Sequence, residues 1–226
     1  MPSETHGIVL FGDVVDSRSD PGASAFLRSL RAELEAAYPP GARLAPFGFT
    51  QGDELQGLLA LDADPFVAIV RAGLRHDARA MRWAVVVGSI DAGRGPATER
   101  TGPAFHAARD LLARAKGQRD GLLVLTGDVA TDALLDDLAP LLPAMLDDLT
   151  ARQREVGRLL LVDGLRRIDA AERLGISRAT VSVIAERGRL RRVAGLARAL
   201  TAALRAGMRA AGSATGTTTT VPGSVA

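Results

Sequence analysis

Cysteine is missing from all 226 residues, so disulfides and thiolate metal sites are excluded. Histidine occurs only three times, at scattered positions, and a zinc site built on imidazoles is not expected. Lysine occurs once, at Lys116, so arginine carries nearly all the positive charge. No apolar run approaches the roughly 20 residues that a membrane-spanning helix needs. The opening Met-Pro-Ser-Glu-Thr-His lacks the basic and apolar regions of a signal peptide. A cytoplasmic location without a membrane partner is the expectation.

What is present belongs to a globular chain with a core: 47% hydrophobic and 24% charged residues. The net charge of +2 conceals an asymmetry. Residues 1–149 hold 14 Lys+Arg against 21 Asp+Glu, a balance of −7. Residues 150–226 hold 14 Arg against 5 acids, a balance of +9, and the two halves sum to +2. An acidic half joined to a basic half predicts two domains with different partners, the basic one being the candidate for nucleic acid.

Along the chain, residues 7–11 read as a short central strand. Phe26, Leu27, Leu30 and Leu34 recur at helical spacing, and Pro39-Pro40 closes that helix. Residues 47–61 place two apolar-rich runs around Gly52-Asp53 and read as a β-hairpin. Asp64-Pro65 opens a second helix. A strand over 81–90, a helix over 102–116 and a strand over 122–125 follow. The order β-α-β-β-α-β-α-β predicts an α+β fold over residues 1–127, ferredoxin-like, with one antiparallel sheet and helices on one face. Residues 128–149 read as a helical connector broken by Pro140 and Pro143. Residues 150–210 read as an all-α domain, and residues 211–226 as a disordered tail.

Two stretches carry chemistry. The first strand ends in Gly12-Asp13 where the chain must turn, and the hairpin carries Asp53 at its turn, followed by Glu54. If the strands are neighbours, Asp13 and Asp53 converge at one sheet edge. Facing carboxylates repel unless positive charge sits between them, and a hard divalent cation bound through oxygen supplies it. The plainer alternative is that Asp13 ends a strand and Asp53-Glu54 forms a turn.

Phe11-Gly-Asp-Val-Val resembles the strand and turn of class III nucleotidyl cyclases. Gln51-Gly-Asp-Glu-Leu resembles their second metal hairpin and the Gly-Gly-Asp-Glu-Phe motif of diguanylate cyclases. The helix opening Gly-Pro-Ala-Phe-His-Ala-Ala-Arg is similar to the cyclase helix with an Ala-x-Arg near its start. As a set, Gly-Asp-x-x-x-Ser-Arg followed by Gly-Asp-Glu-x-Gln-Gly-Leu resembles the SatD family, which has a cyclase-like core, over residues 8–127. The resemblance implies that Asp13 and Asp53 ligate Mg²⁺ or Mn²⁺, with the Val14 carbonyl as a third oxygen. It also implies that the backbone of Val15, Asp16 and Ser17 and the guanidinium of Arg18 receive the phosphates of a purine nucleotide. Arg109 matches the family's transition-state arginine, which often reaches across a homodimer interface. Phe49 stands where purine-selecting cyclases carry a lysine, Phe105 stands where their helix carries asparagine, and Lys116 falls away from a phosphate clamp. Nucleotide binding is therefore expected ahead of turnover, with an active nucleotidyl cyclase or related phosphoryl-transfer enzyme carrying a DNA-binding arm as the alternative.

Further on, a helix, a Gly175 turn and a second helix capped by Ser177 form the helix-turn-helix pattern. Ala171 is small enough for a close helix crossing, and Ile168, Leu174, Ile176, Val181 and Ile184 are the expected filling. The segment resembles the DNA-binding module of sigma-factor and LuxR-type regulators. That resemblance directs Arg178, Ala179, Thr180 and Ser182 to base edges. Arg187, Arg189, Arg191 and Arg192 would meet phosphates. A last helix over 192–211 carries Val193, Leu196, Leu200, Leu204 and Met208 in a stripe, which either packs on the module or makes a dimer contact. Together these readings predict a DNA-binding regulator whose N-terminal domain binds a nucleotide with a divalent cation.

Overall fold

The computed structural model describes residues 5–50, 54–118 and 121–215. The fold is built outward from β1 (Thr5–Val14). Ile8, Leu10 and Val14 point into one apolar core, Val9 and Phe11 into a second, and all five are buried. A strand apolar on both faces belongs in the middle of a sheet that is covered on both sides. Accordingly β1 pairs antiparallel with β3 (Glu54–Leu59) and with β4 (Met81–Ile90). β2 (Arg43–Phe49) completes the hairpin with β3, and β5 (Leu122–Leu125) runs parallel to β4. The sheet order is β2-β3-β1-β4-β5.

Two expectations need correction. The sheet is mixed, because α3 (Pro103–Gln118) carries the chain from β4 to β5 as a helical crossover, and such a crossover returns the next strand in parallel. Helices also cover both faces instead of one. α1 (Ala23–Ala37) and α2 (Phe66–Gly73) bury Phe26, Leu30, Phe66 and Ile69 on the Leu10 side, whereas α3 buries Phe105, Ala108, Leu112 and Ala115 on the Phe11 side. Close backbone approach is built in where ring meets strand. A Cβ on Gly12 would lie 2.6 Å from the Trp83 ring, so only glycine fits there.

After β5 the chain is helical: α4 (Val129–Leu138), α5 (Leu141–Asp147), α6 (Ala151–Gly157), α7 (Arg167–Leu174), α8 (Arg178–Arg187) and α9 (Leu190–Thr215). α6 runs on into a π turn over Arg158–Val162. Asp128 caps α4 by accepting from Thr131, and Thr150 and Gln153 close a reciprocal capping box on α6. Residues 211–215 continue α9 instead of starting a disordered tail, since Ala210 and Ala211 favour the helix past the point where Gly212 and Ser213 suggest a stop. Among the described residues no helix is long and apolar enough to cross a membrane.

The α9 stripe is spent inside the chain. Val193, Leu200 and Leu204 are buried in the same cluster as α2 and α5, so this face is not available to a second copy. Thr201 Oγ1 donates to Asp64 Oδ2 at 2.9 Å. Glu33 adds a polar tie, pairing with Arg71 at 3.3 Å, Arg75 at 2.8 Å and Arg158 at 2.9 Å. One carboxylate thus links α1, the end of α2 and the π turn. At Gly207 a Cβ would lie 2.3 Å from Thr126 Oγ1. Gly207→Leu is therefore expected to cost about 1–3 kcal/mol in urea unfolding by overpacking. Gly212→Ala, with nothing within 4 Å, should be neutral or stabilising by up to about 1 kcal/mol.

Candidate functional site

The register of the three central strands collects charge at one end of the sheet. Asp13 is the direct partner of Glu54 on β3 and of Arg82 on β4. Directly paired residues share a face of an antiparallel sheet, so all three project to the α3 side. Asp13 lies two positions beyond Phe11, which fixes the same face by the alternation of the strand. Two polar residues here are almost fully enclosed, Asp13 at 5% exposure and Gln56 at 3%. Gln56 Nε2 donates to Glu54 Oε1 at 2.7 Å. Gln51, Gly52 and Asp53, which include the expected turn and the second metal ligand, lie outside the described residues. The first residue after them is Glu54, opposite Asp13.

Lys116 proves to be part of this site, contrary to the sequence reading. Its Nζ lies 2.7 Å from Asp13 Oδ1. The reason is the seating of α3. Phe105 packs on Phe11 with ring centroids 6.0 Å apart, and Ala108, Leu112 and Ala115 continue the contact along the sheet. Lys116 follows Ala115 and comes off the end of that seam beside the strand end. A buried carboxylate needs positive charge close by, and an ammonium on a flexible stem provides it here. The neighbouring side-chain donors, Asp13 and Glu54, are hard oxygens suited to Mg²⁺ or Mn²⁺. Among the described residues no group of three or more His, Cys, Asp or Glu gathers around one point.

The loop after β1 is only partly available to phosphates. Val14 buries its side chain in the α1 and α2 core. The Val15 N–H donates to the Ala80 carbonyl at 2.9 Å, so that amide is committed to the protein. Asp16 adopts the left-handed region at φ 54°, which Asp tolerates better than most residues. Its carbonyl accepts from the Ser19 N–H at 3.0 Å and the Ser19 hydroxyl at 2.8 Å. Ser17 begins the resulting 3₁₀ turn and Arg18 is exposed in it. Arg79 pairs with Asp20 and anchors the loop's far end. That hydrogen bond, helped by the Gly22 amide, holds the Asp20 carboxyl below its ordinary range.

Arg109 is not brought to Asp13. It is exposed on α3, seven residues before Lys116 and on the same helical face, about 10 Å away along the axis. His106 is exposed beside the buried Phe105.

A second candidate surface lies in the basic half. Gly175 ends α7 at φ 63°, and the Ser177 hydroxyl accepts from the Thr180 N–H at 3.0 Å to open α8. Ala170, Ala171, Val181 and Ala185 are buried between the helices. Ile168, an expected filling residue, is instead 47% exposed, because Ala170 and Ala171 form the contacting face of α7. Arg178, Ala179 and Thr180 are exposed at the start of α8, Arg187 at its last residue and Arg189 just beyond it. Ser182 is half-buried, with Arg167 Nη1 3.5 Å from its hydroxyl. Comparison with known proteins adds no family: no family model matches the chain, and no curated protein matches it.

The Asp13–Lys116 pair has side chains 7% and 43% exposed, between a buried and a surface ion pair. Lys116→Met is expected to destabilise the chain by about 1–3 kcal/mol in urea at pH 7. Adding Asp13→Asn should return at least half of that loss. A neutral Lys116→Met would mean that the pair carries no weight.

Proposed function

We propose that this chain is a cytoplasmic DNA-binding transcriptional regulator whose N-terminal domain binds a purine nucleotide together with Mg²⁺ or Mn²⁺. The observation that carries the reading is the β1–β3 register. It sets the Gly-Asp end of β1 against the first residue after the Gly-Asp of the hairpin. That neighbourhood, the condition on which the carboxylate reading depends, supports a shared metal site at this end of the sheet. The run β2-β3-β1-β4, each strand antiparallel to its neighbour, supports a ferredoxin-like, cyclase-type core with β5 added at its edge. These features support the likeness to the SatD family.

In this reading Asp13 and Asp53 hold the cation, which supplies positive charge to the phosphates of the nucleotide. The ammonium of Lys116 then yields its place beside Asp13 and is free to meet a phosphate oxygen. Ser17 and Arg18 stand on the same loop to contact the phosphates. The Val15 amide is not among the donors. Turnover gains no support within one chain, because Arg109 lies two helical turns from Lys116. The helix-turn-helix of α7 and α8 would present Arg178, Ala179 and Thr180 to base edges, with Arg187 and Arg189 on phosphates. A homodimer, joined through a surface other than the α9 stripe, would let nucleotide binding set the spacing of two such helices.

Calorimetric titration with ATP and GTP, with and without Mg²⁺, tests the nucleotide arm. Binding should require the divalent ion, and Asp13→Asn and Asp53→Asn should each weaken it at least tenfold. Equal binding by wild type and Asp53→Asn would refute the site. For the DNA arm, a fragment selected from a random pool should lose roughly 1–3 kcal/mol of affinity with Arg178→Ala. Arg187→Ala should weaken all fragments alike and reduce the salt slope by about one.

A further inference from the structure

Beside the helix-turn-helix pair, against α9, lies a half-open groove of about 890 Å³, a size typical of small-molecule sites. Its floor is aliphatic, with Leu161 from the π turn, Leu165 and Leu190. Its rim is cationic, with Arg189, Arg192 and Arg198. Among the described residues none of these three guanidiniums has a carboxylate within ion-pair distance. Glu186 is the one acid in the lining. Two backbone irregularities shape the walls. The π turn over Arg158–Val162 leaves Leu160 and Leu161 half-exposed towards the groove, and Arg189 sits in the left-handed region at φ 51°. π segments and left-handed non-glycine residues concentrate at functional sites because packing has to hold them there.

We infer that this groove is a binding site for an amphipathic aliphatic carboxylate. The guanidinium rim is matched to a carboxylate, which arginine holds through paired N–H donors. The leucine floor is matched to an alkyl chain. A small inorganic anion leaves the floor unused, and a neutral lipid leaves the rim uncompensated. A nucleic acid backbone satisfies the arginines but has nothing to lay on the leucines. The site does not depend on the nucleotide reading. One consequence does rest on the DNA-binding reading: Arg189 and Arg192 belong to both surfaces, so a bound carboxylate competes with DNA.

The test is a calorimetric titration of the full chain with acetate, octanoate, dodecanoate and dodecanol, the carboxylates below any micellar concentration and the alcohol below its solubility limit. Affinity should rise from octanoate to dodecanoate, on the order of tenfold for each two methylenes buried. Acetate should not bind measurably, and dodecanol should bind at least tenfold more weakly than dodecanoate. Arg198→Ser should weaken dodecanoate at least tenfold, and Ala194→Trp, which fills the groove, should abolish binding, with thermal unfolding checking that both variants fold. No dodecanoate binding by wild type, equal binding of acetate and dodecanoate, or wild-type affinity in both variants would overturn the assignment. If DNA protects the groove arginines from chemical modification while dodecanoate does not bind, the groove belongs to the DNA contact and the assignment falls. If dodecanoate binds as expected and no DNA fragment does, the groove stands and the DNA reading alone fails.

Discussion

A strand buried on both faces dictates most of this molecule. Because β1 has apolar residues in unbroken succession from Ile8 to Phe11, its odd and even positions each demand a core of their own. That demand brings α1 and α2 to one side and α3 to the other. It also decides where chemistry can occur. The alternation that buries Val9 and Phe11 under α3 delivers Asp13 to the same side, at the place where the helix runs out. The carboxylate is enclosed by the element that also carries its counter-charge.

Electrostatics then sets what this end of the sheet can hold. A carboxylate at 5% exposure is costly without positive charge nearby. The Lys116 ammonium provides that charge, and a lysine is a suitable placeholder because its long stem can withdraw. An arginine in the same position would fork onto the carboxylate and compete with a metal more strongly. In a chain with 28 Lys+Arg of which all but one are arginine, the one lysine sits beside the candidate metal ligand.

Much of the fold was legible because the signals were local. Helical spacing in α1, the Pro39-Pro40 stop, the capping Ser177 and the Gly175 turn each mark their elements by chemistry within a few residues. The first strand and the hairpin were each legible from their apolar runs, but their pairing entered only as a condition of the carboxylate reading and is shown by the register. What could not be read was non-local. The parallel pairing of β5 depends on α3 returning the chain to lie beside β4 and not beside another strand. The partnership of Lys116 with Asp13 depends on how far that helix runs over the sheet. The arginines on Glu33 come from the end of α2 and from the distant π turn, and no spacing in the sequence announces that Arg158 joins Arg71 and Arg75 there. The amide of Val15 was misjudged for the same reason, since its acceptor, Ala80, belongs to a distant connection.

The C-terminal helices share the core of the sheet through α9, so the basic surface is tied by packing to the acidic half. The account rests on a cation at Asp13. The most direct measurement is anomalous scattering from crystals grown with Mn²⁺ and a non-hydrolysable purine nucleotide. The account predicts a manganese peak within about 2.5 Å of carboxylate oxygens of both Asp13 and Asp53, with Lys116 Nζ displaced from Asp13. Nucleotide density elsewhere, or an intact Asp13–Lys116 pair with no peak beside it, would contradict it.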